Sequence, residues 1–143
     1  MPVNYRVYPE QSLVYVRCFG EVTVEQSLTS FRQYTQDPEY AEGQSQLIDL
    51  TDVTKYERNF AEIISLQAHL AEAFVSTQLP SVSPSYMIYV APTEMTQAMA
   101  MASLRSWKNL PSIIPLVVQN LDEALEILSL GISLQEARLL LTS

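Results

Sequence analysis

One cysteine, one histidine and three glycines are all that 143 residues supply of the types that most often announce chemistry. Cys18 stands alone, so no internal disulfide can form, and its place in an apolar strand pattern reads as a small buried hydrophobe. That usage fits a reducing cytoplasm. His69 is the one imidazole, which leaves neither a nucleophile–histidine pair nor a His-rich metal site. The glycines at 20, 43 and 131 form no G-x-G-x-x-G and no P-loop, so nothing cradles a phosphate and no cofactor is expected. Lysine is nearly missing too, at Lys55 and Lys108 only, and the net charge is −8. Nucleic acid and anionic membrane surfaces call for clustered Lys and Arg, so both are excluded as partners. No stretch approaches the roughly 20 apolar residues of a membrane span. Met1–Val7 is too short and polar for a secretory leader, and a cytoplasmic location is expected.

What the chain does have is alternation. Hydrophobic residues make up 48% of it, enough for the core of one domain over 1–143. Four β-like runs, Leu13–Phe19, Gln46–Leu50, Ser85–Ala91 and Ile113–Gln119, are each followed by an amphipathic helix pattern. This spacing predicts an α/β fold, a mostly parallel five-stranded sheet built from successive βα units. The fifth strand, Tyr5–Tyr8, is so close to Leu13 that an antiparallel hairpin is the simplest connection. Gly20 is expected to end the second strand, and Thr51–Arg58 to be polar and irregular.

Helix starts are marked by side chains that satisfy orphan amides. Thr23 with Gln26 fits a capping box, and Asn59/Glu62, Asn120/Glu123 and Ser133/Glu136 have the same spacing. Another helix is expected from Thr93 to about Asn109. Stops are expected at Asp37-Pro38, at Pro111 and at Gly131 as a C′ residue, and the Pro- and Ser-rich Gln78–Pro84 reads as a loop. Pro115 removes a ladder donor from the last strand, which places that strand at an edge.

In open parallel sheets, sites gather where strands give way to helices. Here those ends carry Glu21, Asp52, Glu57, Glu94 and Asp122, an acidic rim that would repel a phosphate. The Asp49/Asp52/Glu57 loop lacks the glycine and alternating oxygen ligands of a cation loop, and it interleaves Lys55 and Arg58. A receiver-like phosphotransfer site fails as well, because no lysine follows Lys108. His69 falls off the Phe60/Ile63/Leu70/Phe74 stripe and reads as a surface residue. Met95, Met99 and Met101 share a helix with small alanines, a composition suited to core packing or to a soft ligand groove. Met95, Met99 and Trp107 are the candidate ligand-binding residues for a small apolar molecule.

Several segments together resemble the SpoIIAA-like branch of the STAS superfamily. They are Val14-Tyr15-Val16-Arg17-Cys18-Phe19-Gly20-Glu21-Val22-Thr23, Leu47-Ile48-Asp49-Leu50-Thr51-Asp52-Val53, Val90-Ala91-Pro92-Thr93 with Ala98-Met99-Ala100, and Asn120-Leu121-Asp122-Glu123-Ala124-Leu125. The resemblance runs from about Leu13 to Leu130. It implies one antiparallel N-terminal strand, parallel strands added in chain order, and a non-catalytic module that binds a protein partner in a regulatory switch. Relatives with the CRAL-TRIO fold imply the alternative, carriage of an apolar ligand. Anti-anti-sigma members have a phosphorylated serine in Asp-Ser-Ser-Gly after the second parallel strand. This chain reads Glu57-Arg58-Asn59-Phe60 there, so that site is not carried over.

Successive right-handed crossovers place their helices on one side of the sheet. Val14, Val16 and Cys18 suit that side. Leu13, Tyr15, Arg17 and Phe19 face the other, which needs cover from a further element or subunit. Tyr15, Arg17, Phe19 and Tyr89 are therefore the candidate interface of a homodimer, unless the terminal helix from Ser133 to Leu141 covers that face within one chain.

Overall fold

The computed structural model describes residues 3–41, 43–56, 85–107 and 113–142. The expected helix opened by Asn59, His69 within it, the turn Glu57-Arg58-Asn59-Phe60 and the loop Gln78–Pro84 lie outside the described residues, as does the side chain of Trp107.

β1 (Val3–Tyr8) and β2 (Leu13–Val22) are joined by a single 3-10 turn, Pro9–Gln11, and run antiparallel. β3 (Ser45–Tyr56), β4 (Ser85–Val90) and β5 (Ile113–Val118) then add in parallel, giving the order β1-β2-β3-β4-β5. The mixed α/β sheet is the expected one. β5 lies at an edge, where the missing N–H of Pro115 can be tolerated.

Two boundaries differ from the sequence reading. β2 does not stop at Gly20, which adopts φ +66 inside the strand and sits where the pairing with β3 slips. β3 does not dissolve at Thr51 but continues to Tyr56. Arg17 pairs with Asp49 whereas Phe19 pairs with Asp52, so β3 carries one extra residue over this step. That bulge re-phases the strand. Leu50 and Val53, three apart, consequently both point into the same core. A strand that changes phase loses the strict alternation by which it would be noticed.

Four α-helices among the described residues cover the two faces: α1 (Val24–Thr35), α2 (Glu94–Trp107), α3 (Leu121–Leu128) and α4 (Leu134–Thr142). Thr23 and Gln26 form the capping box in full, and Asn120 accepts from the Glu123 amide at 2.9 Å. The α3 helix closes on Ser129 at φ 48 rather than at Gly131. One core lies under α1 and α2, with Cys18, Leu50, Met87, Tyr89 and Met99. The other lies under α3 and α4, with Leu13, Tyr15, Leu47, Ile88 and Leu125. The sheet is thus buried on both sides within one chain, and the terminal helices supply the second cover.

Candidate functional site

β2 and β3 are ten and twelve residues long, while β1, β4 and β5 have six each. Among the described residues β1 pairs as far as Cys18, and β4 as far as Asp49. Past those points β2 and β3 continue as a two-stranded extension. One of its faces, with Val22 and Val53, closes the α1/α2 core. On the other, Phe19 is 37% exposed. Arg17 bonds Asp52 across the strands at 3.1 Å, with both side chains more than half exposed. This bond holds the Arg17 guanidinium above its ordinary pKa.

The strand-end carboxylates are occupied one by one. Asp49 accepts the Tyr15 hydroxyl at 2.7 Å, the Thr51 amide at 3.0 Å and the Thr51 hydroxyl at 2.5 Å. Burial, then the bond to Asp49, pushes the Tyr15 phenol well above its usual range, so it stays a donor. Asp122 pairs with Arg138 at 2.9 Å, and Glu123 is tied to Asn120 at the start of α3. Among the described residues no three acids or cysteines gather in a way that would hold a metal ion. Asp49 and Asp52 are thus both engaged in local bonds.

The four candidate interface residues do not share a surface. Phe19 is exposed on the extension and Arg17 just before it, where β1 still pairs, but Tyr15 is 7% exposed beneath α3 and α4. Tyr89 is 5% exposed and belongs to the opposite core, beside Met87. Parity explains the split: Tyr15 pairs with Leu47 and Leu47 with Ile88, so Tyr89 points the other way.

No family model and no curated protein matches this chain. The functional reading therefore rests on its own geometry.

The candidate ligand residues divide as well. Met99 is buried and lines a cavity of about 80 Å³ between the sheet and helices α1 and α2, together with Cys18, Ile48, Met87 and Ser103. Met95 is half-buried and packs on the same core, while Met101 is turned outward. Burial pushes the Cys18 thiol up to about 12, which keeps it protonated and inert.

A second concavity gave no sequence signal. An open groove of about 820 Å³ follows the outer edge of β1, between the end of α1 and the end of α4. Tyr5 donates to Asp37 beyond α1 at 2.9 Å, and Tyr8 donates to the Leu140 carbonyl of α4 at 3.2 Å. Tyr5, Tyr34 and Tyr40 stack edge-to-face behind the first of these bonds. The residues read as plain strand formers in sequence, because edge status emerges only when the strand order is known.

Proposed function

We propose that this chain is a non-catalytic, STAS-like protein-interaction module of a regulatory kind, acting as a homodimer through the β2–β3 extension. The observation that carries the reading is the partly exposed apolar side chain of Phe19 beside the Arg17–Asp52 pair. Exposed aromatic and arginine side chains are what interface cores are made of. The extension carries Lys55, Glu21 and Asp52, and Arg17 stands at its foot, a locally balanced set on a chain of net charge −8. A balanced patch is self-complementary under a two-fold axis, with Arg17 of one copy meeting Asp52 of the next. The sheet order agrees with the fold that the SpoIIAA-like resemblance implies.

The carrier reading is favoured by the Met99 cavity, and the volume of that cavity weighs against it. A cavity of about 80 Å³ is roughly half of the ~150 Å³ that accepts benzene, and drug-sized ligands occupy about 300–1,000 Å³. Only a molecule of a few heavy atoms would fit.

Native mass spectrometry with sedimentation velocity tests the proposal. The wild-type chain should run as a dimer without added mass, and Phe19→Asp as a folded monomer. A monomeric wild type, or an unchanged Phe19→Asp dimer, sinks the reading. A retained mass of small-molecule size, released on unfolding, would restore the carrier.

A further inference from the structure

The two edges of the sheet are treated differently. β5 carries Pro115, which cannot donate to an added strand, whereas β1 from Val3 to Tyr8 contains no proline and pairs with β2 without a bulge. In an antiparallel pair, alternate residues turn their N–H and C=O groups away from the partner strand. Among the described residues no strand pairs with the outer side of β1, which there presents a regular series of donors and acceptors, the template that strand-adding ligands use. Charged side chains are one common way to blunt such an edge. The single charge in β1 is Arg6, and its guanidinium lies over the Tyr8 ring, 5.4 Å from the centroid.

This edge also has walls. On one side stand Asp37 and Glu39 beyond α1, on the other Leu140 of α4, and Glu10 closes one end. The Tyr5–Asp37 and Tyr8–Leu140 bonds anchor both walls to β1 itself, so the groove is preformed. Among the described residues its charged lining is Arg6, Glu10, Asp37 and Glu39, three carboxylates against one guanidinium.

We infer that the β1 edge is a strand-addition site for an extended, basic peptide segment of another protein. Main-chain bonds to β1 hold the peptide, and Glu10, Asp37 and Glu39 select its lysines or arginines. A second copy of this chain is the poorer occupant, because pairing β1 with β1 would bring two such acidic grooves together on chains of net charge −8 each. The site is separate from the Phe19 surface, so the two proposals stand or fall independently.

The test uses three fluorescein-labelled heptapeptides: alternating Lys-Val, alternating Glu-Val, and the Lys-Val peptide N-methylated at every residue, which leaves neither edge able to donate. The last keeps the charge and loses the ladder donors. Anisotropy titrations of the full chain should show the Lys-Val peptide binding at least tenfold tighter than either other. Hydrogen exchange should slow at alternate β1 amides when it binds. Glu10→Lys with Glu39→Lys, both exposed, should weaken binding at least tenfold without changing thermal stability. Equal binding of the N-methylated peptide would reduce the effect to diffuse charge attraction and overturn the proposal. So would binding without β1 protection, or β1 protection that rises with protein concentration alone, which would mark self-pairing.

Discussion

Replacing Tyr15 by phenylalanine removes one hydroxyl and almost nothing else. The ring is buried under α3 and α4, and its oxygen donates to Asp49 at 2.7 Å. A hydrogen bond to a charged group contributes about 1.5–3 kcal/mol. Asp49 is half-buried and keeps both bonds from Thr51, so its lost partner is replaced in part by water. The lower end of the range then applies, about 1.5 kcal/mol. For a chain of this length that corresponds to a Tm lowered by roughly 4–6 °C. Urea unfolding of wild type, Tyr15→Phe, Asp49→Asn and the double variant forms a complete cycle, and the coupling between the two sites should be about 1 kcal/mol or more. A coupling near zero would refute the view that the Asp49 carboxylate is held in place by Tyr15. The same geometry says that Tyr15→Asp and Tyr89→Asp unfold the protein instead of splitting a dimer, since each would bury a carboxylate in a different core.

Further expectations follow from other residues. Met99→Ala removes a 2% exposed side chain beside an existing cavity and should cost about 2–5 kcal/mol in urea unfolding. Thr23→Ala removes the hydroxyl that accepts the Gln26 amide in the α1 capping box and should cost about 1 kcal/mol, with Thr23→Ser restoring most of it. Cys18, raised from 9.0 to about 12, should react with a disulfide reagent at pH 8 about 10³-fold more slowly in the native than in the unfolded chain, and rapid native labelling would show the thiol to be accessible. Burial also raises Tyr15 and Tyr34 above 10.0, so the native state keeps protons that the unfolded chain releases. This contribution is complete below pH 9, and falls as pH climbs through the native values. The urea midpoint should accordingly drop above pH 9–10, and a flat profile to pH 11 would contradict it.

The parts of the fold that were legible in the sequence are those set by local chemistry. Thr23 with Gln26 and Asn120 with Glu123 announce helix starts because a side chain three residues away satisfies an orphan amide, wherever the helix later docks. Pro115 announces an edge because its missing donor is a local fact. What stayed hidden depends on partners. Thr51–Tyr56 looks irregular since a bulge shifts its phase, and one face of it is bare. The stripe Ala124, Leu125 and Leu128 defines a helix face but not which side of the sheet it will cover. Tyr89 was grouped with Tyr15 for the same reason: pairing register across three strands fixes parity, and no single strand contains it. Of the candidate site, Arg17 and Phe19 were found as exposed residues, whereas the Tyr15–Asp49 bond and the β1 groove required the assembled sheet.

Strand order equal to chain order has a consequence for how the protein is made. Each new strand leaving the ribosome finds its neighbour already in place at the growing edge, so the sheet can be laid down progressively during synthesis. The layer on one side lags behind. Leu13, Tyr15, Leu47 and Ile88 await α3 and α4, which emerge only after all five strands. Until then that apolar face stands open in the nascent chain, a natural landing place for a chaperone. Release of a chain stopped before Leu121 should therefore yield a sticky intermediate, soluble only while its escort remains bound.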